Sequence, residues 1–180
     1  MPLDPVFERC FAPLIGQPCW QVRSGHGSFV TLEFGEPYLE VREPRGVAAH
    51  VSARVREMLS HRNITVRGQW HLWVYCCDWS VFDRDRVVGC SDDSESFAAA
   101  TQFLDGQILT AASTDSGSVS EFRFDLGGRM TTGPRDDDGE LWMLYQPDGN
   151  VLTLRANGSY CCSPANGDPN MEEWLPSRTP

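Results

Sequence analysis

Lysine is missing altogether: all 15 basic side chains are arginine, set against 25 Asp and Glu, for a formal net charge of −10. That balance disfavours a general DNA- or RNA-binding surface, which needs clustered cations. It would also be repelled by an anionic membrane face. A basic protein partner is compatible with it, because an acidic surface steers one inward. No run approaches the roughly 18 apolar residues that a bilayer span requires. Met1 to Phe11 carries Asp4 and Glu8 and no apolar block, unlike a secretory signal, so a cytoplasmic location is expected. The exclusively arginine basicity, with the Ala, Gly, Val and Pro usage, reads as the product of a GC-rich bacterial genome.

Catalytic signatures are equally scarce. There is no Walker loop, no GxGxxG, no GxSxG elbow and no HExxH. No CxxC pair is present to start a zinc site. No cofactor is therefore read from the sequence, and enzymatic activity is left open.

What is present is a core. Hydrophobic residues make up 41% and aromatic residues 11% of 180 residues, enough for one folded domain. We read residues 1–162 as that domain and 163–180 as a C-terminal tail that Trp174 and Leu175 pin to it. The cysteine count is odd, seven, and Cys76-Cys77 and Cys161-Cys162 are vicinal pairs. Adjacent strand residues point to opposite faces, so these pairs read as reduced thiols packed as small hydrophobes, with no metal.

Periodicity points to an α+β protein dominated by antiparallel sheet in hairpins and a meander, with one or two packed helices. Residues 1–16 read as a docking arm with one helical turn. Strands are expected over 18–23 and 28–34 about the turn Ser24-Gly25-His26-Gly27, and over 38–43 after a turn at Gly35-Glu36-Pro37. The stretch 64–82 reads as one central strand, apolar on both faces, long for a single strand and with a bend expected at Gly68 or near Asp78. A helix is expected over 92–104, capped by Ser91 or Asp92 and closed by Gly106. Within 44–63, Val47, Val51, Val55, Met58 and Leu59 recur at helical spacing, and helix and loop both remain open. Six further strands are expected near 107–114, 118–126, 129–133, 140–146, 150–155 and 158–162, separated by Gly-, Asn- and Asp-rich turns.

The chemistry-bearing candidates are His26, Glu33, His71, Trp73 and Tyr75. Strand alternation puts His71, Trp73, Tyr75, Cys77 and Trp79 on one face of the long strand. Glu33 comes near His71 if the two strands share a sheet, with His26 at the rim. Aromatic walls with a few polar groups at one end make a small-ligand pocket. The bland alternatives are an exposed turn histidine for His26 and a satisfied structural one for His71. Glu33, Glu40 and Glu43 are read as the polar outside of a sheet, paired with arginines such as Arg42 and Arg123.

The segments Ile15-Gly16-Gln17-Pro18-Cys19-Trp20, Gly25 to Pro37, Val66 to Trp73 and Cys76 to Trp79 together resemble an uncharacterised family of bacterial proteins. The resemblance covers most of the chain and implies no assigned activity. The leading expectation is a protein-interaction module, in one version an immunity or inhibitor protein that caps a basic partner. The alternative is a small-ligand binder or enzyme using an aromatic pocket around His71. A lined pocket favours the second, a convex acidic face the first.

Overall fold

The computed structural model describes residues 5–46, 51–115, 118–137 and 139–176. Two antiparallel sheets enclose one core, as the composition led us to expect. One sheet has seven strands in the order β1-β2-β3-β9-β10-β11-β12: Cys19–Ser24, Val30–Arg42, Asn63–Val74, Glu140–Tyr145, Asn150–Arg155, Ser159–Pro164 and Leu175–Pro176. The other has five in the order β5-β4-β8-β7-β6: Arg86–Cys90, Asp78–Asp83, Gly128–Gly133, Ser120–Phe124 and Leu109–Thr114. Among the described residues no helix is long and apolar enough to cross a membrane.

Helix α1 (Pro5–Phe11) is the wedge between the sheets. Phe7 meets Trp142 and Tyr160 of the larger sheet edge-on, at 5.8 and 5.0 Å. Phe11 touches Trp142 and also Phe122 of the smaller sheet, at 5.6 and 5.8 Å. Such aromatic pairs contribute about 1 kcal/mol each beyond the area they bury. The arm expected to cover an edge is thus part of the centre. The Trp142 indole N–H, sealed in this core, donates to Ser120 Oγ across the sheets at 2.9 Å.

Three readings of the sequence need correction. Residues 64–82 are not one strand. β3 ends at Val74, Tyr75 to Cys77 form a corner, and β4 begins at Asp78 in the other sheet. The corner resets the alternation: His71 and Trp73 stay on the outer face, while Cys77 and Trp79 enter the core at 1% and 2% exposure. Gly35-Glu36-Pro37 is not a turn between strands but a bulge inside the single strand β2, where the pairing with β3 slips between Phe34 and Pro37. Strand β5, after the tight connection at Arg84, was not foreseen.

The helices follow their caps. α3 (Phe97–Leu104) begins five residues later than expected, because Ser94–Ser96 form a 3-10 turn in which the Asp93 carboxylate accepts from Glu95 N–H. Gly106, at φ +88°, follows its end as a C-terminal glycine should. Within 44–63, α2 spans Ala53–Leu59 behind the Ser52 cap, and none of its residues is buried. Val47 lies outside the described residues. In the tail, Leu175–Pro176 pairs with β11, and Arg155 lies 3.5 Å over the Trp174 ring.

The bulge depends on two glycines. Gly35 sits at φ +77°, a conformation that costs little only without a Cβ. Gly68 lies so close across the pair that a Cβ would meet Phe34 N at 2.8 Å. Gly68→Ala is therefore expected to destabilise the fold by about 3 kcal/mol, measured by urea denaturation. Ala at Gly27, where a Cβ meets no atom within 4 Å, carries only the strain of its positive φ and should cost clearly less.

Candidate functional site

The bulge creates the site. It leaves Gly35 and Glu36 out of the ladder and sets Pro37 opposite Gly68, whose N–H donates instead to Glu33 Oε2 at 2.9 Å. The other carboxylate oxygen, Oε1, is 2.9 Å from His71 Nδ1 and accepts from Arg67 Nη1 at 3.0 Å. Glu33 is 2% exposed, so its charge is tolerated only because every face of it is bonded. Burial pushes this carboxyl up, but the bonds from His71, Gly68 and Arg67 outweigh it and hold the group below the usual glutamate range.

Register assembles these residues from distant sequence. Trp20, Glu33, His71 and Tyr145 form one cross-strand row over β1, β2, β3 and β9. Thr31, Trp73 and Met143 form the next row on the same outer face. Arg67 precedes His71 by four residues on β3 and so shares its face. It also reaches Glu40 Oε2 at 3.4 Å, and Glu40 takes Arg42 at 3.1 Å.

Above this network lies a groove of about 430 Å³ whose walls include Phe29, Thr31, Tyr38, Arg67, Trp73 and Tyr145, with His71 in its lining. Phe29 stands edge-on to Trp73 at 5.9 Å. With Nδ1 engaged by the carboxylate, the His71 ring keeps its Nε2 edge for whatever enters the groove it lines.

Of the five candidates, Glu33, His71 and Trp73 come together here. His26 is exposed on the β1–β2 turn beside Gly25, which lines the groove, and it makes no contact with the network. Tyr75 stands at the corner after β3 and packs on Phe29 and Trp73 at 4.7 and 4.8 Å, supporting the wall without lining the groove. The carboxylate cluster divides. Glu33 is buried rather than on a polar outside, Glu40 takes Arg42 of its own strand and Arg67 across the pair rather than Arg42 as a cross-strand partner, and Glu43 takes Arg62. Arg123 lies in the other sheet, on Glu121. Arg67 was missed, although its spacing to His71 signals it. Tyr145 and Phe29 were missed because only the register and the turn bring them in.

A second hollow, of about 530 Å³, lies between the β1–β2 turn and α3, lined by Ser28, Cys76, Phe97 and Arg135 among others. Its cation is committed: Arg135 binds Asp78 at 2.7 Å and Asp92 at 2.6 Å. All seven cysteines are free thiols. Burial pushes Cys19 and Cys77 up to about 12 and Cys10 to about 11, so they stay protonated. Among the described residues, no three His, Cys, Asp or Glu are placed to hold a metal.

In comparison with known proteins, no family model matches the chain, no curated protein matches it and no solved structure matches it.

Because the fold depresses the Glu33 carboxyl, its stabilisation is complete above the ordinary glutamate value of 4.5 and is lost as pH falls through the lower folded value. Glu33→Gln should destabilise the protein by about 2 kcal/mol at pH 7. Thermal melts from pH 7 to pH 3 should show the gap between wild type and variant closing below 4.5.

Proposed function

We propose that the protein binds a small ligand in the groove over Glu33, His71 and Arg67. One observation carries this reading. Four polar groups on the groove wall have no protein hydrogen-bond partner among the described residues: His71 Nε2, the Trp73 indole N–H, Thr31 Oγ1 and Tyr38 Oη. None of the four is sealed from solvent, so each can bond a ligand that enters, and they stand beside a fully bonded carboxylate in the manner of a preorganised site. The β-rich body holds them rigidly, since all four side chains project from β2 and β3.

A second reading, a protein-interaction module of immunity or inhibitor type, has its own observation. Beyond the bulge, β2 and β3 run on as a two-stranded ribbon. Leu39 faces Val66 and Val41 faces Ile64 on the side that, further back, is core. All four are exposed, at 64%, 37%, 49% and 58%. The segment 40–67 holds six Arg against Glu40, Glu43 and Glu57, so a partner for this face is acidic, while the acidic remainder suits a basic one.

The experiment is an NMR fragment screen following the Trp73 indole N–H and the His71 ring signals. Binders should shift both, and Thr31→Val, which leaves the bonds to Glu33 intact, should weaken them about tenfold while the melting temperature moves by only a few degrees. Shifts that leave these signals still and cluster on Leu39, Val41, Ile64 and Val66 would overturn the groove reading in favour of the ribbon.

A further inference from the structure

We infer that the groove's ligand is a neutral saccharide, bound without being cleaved. The inference rests on the groove reading and adds the chemical class.

Charge argues first. The groove's charged groups compensate one another: Arg67 bridges Glu33 and Glu40, and Arg42 takes Glu40. A phosphate or a carboxylate would have to break these pairs, leaving a buried charge unpaired. Nothing in the site asks for a counter-charge, so the ligand is uncharged.

The hydrogen-bonding inventory argues next. His71 Nε2 offers a hydrogen-bonding ring nitrogen, the Trp73 indole N–H a donor, and Thr31 and Tyr38 hydroxyls that do both. Thr31 lies level with Trp73, His71 two residues along β3, and Tyr38 level with Arg67, so the set runs along the strands. A hydroxyl group is the partner that serves either kind, and a ligand carrying several on adjacent carbons satisfies the whole set. The walls supply the complement. Phe29, Trp73 and Tyr145 are aromatic, and a pyranose presents apolar C–H faces between its hydroxyl edges, which pack on such rings. Because these groups follow one another along β2 and β3, the groove suits a chain of several units.

Cleavage is a separate matter. Glycoside hydrolysis needs two carboxyl groups, one of them protonated with its pKa raised. Glu33 is held below its usual range and is sealed beneath Arg67 and His71. Glu40 is tied to two arginines. Both carboxylates are engaged by arginine, so the site lacks a free pair of carboxyl groups and retains its sugar.

The test titrates wild-type protein with neutral hexasaccharides of α-1,4-glucose, β-1,4-glucose, β-1,4-xylose and β-1,4-mannose, read by tryptophan fluorescence and calorimetry. Adenosine and benzoate serve as uncharged and charged aromatic probes. At least one hexasaccharide should bind with a millimolar or tighter constant. Trp73→Leu and Thr31→Val should each weaken it about tenfold, and chromatography should recover it intact. Both variants are checked by thermal melts. Tyr38→Ala, at a half-exposed rim position, gives a second loss of affinity that does not endanger the fold. Binding of adenosine or benzoate at Trp73 with no response to any hexasaccharide overturns the sugar assignment and leaves the groove reading standing. No response from Trp73 to any probe overturns both. Appearance of shortened sugars overturns the claim that the site does not cleave.

Discussion

One buried carboxylate organises the outer face of the larger sheet. Glu33 holds the backbone of Gly68, the ring of His71 and the guanidinium of Arg67 at once. Removing any of these bonds would leave a charge in a place where water cannot reach it. The bulge, the two glycines that permit it and the cross-strand row to Tyr145 are all arranged so that those bonds can form. A neutral residue in place of Glu33 would leave the strands paired but the groove without a fixed floor.

The sandwich beneath gives that floor its rigidity. Leu32, Phe34, Leu72 and Val74 alternate with the site residues on β2 and β3 and are buried in the common core. Thr31, Glu33, His71 and Trp73 are therefore each flanked along the strand by an anchored neighbour. Positions on strands are more exact than positions on loops. His26, on a glycine turn, shows the contrast: it reaches the rim but takes no part in the network.

Much of this was legible in the sequence, for local reasons. Alternation in Val30 to Phe34 separates Glu33 from the core set. Glycine- and asparagine-rich turns mark the C-terminal hairpins, which divide into β6 to β8 in one sheet and β9 to β11 in the other. The encounter of Glu33 with His71 needed only the guess that neighbouring strands pair. What could not be read was non-local. Breaking 64–82 into two strands depends on a corner that places Trp79 in another sheet, and aromatic residues on both sides of the break hide it. The bulge looked like a turn because glycine and proline serve both. Tyr145 enters through the pairing of β3 with β9, which no short-range pattern encodes. The burial of Glu33 was misjudged because a glutamate amid alternating residues ordinarily faces water.

The α1 wedge also bears on how the chain reaches this state. Phe7 rests on Tyr160 and Trp142, residues from the opposite end of the described chain. During synthesis from the N-terminus, Phe7 lacks these aromatic partners until β9 to β11 have emerged. The core cannot close in stages. Contacts so distant along the chain slow the search for the native state, and the waiting aromatic surface is open to misassociation in the meantime. Folding of this protein is thus a late, all-at-once event, with its first helix among the last elements to be locked in place.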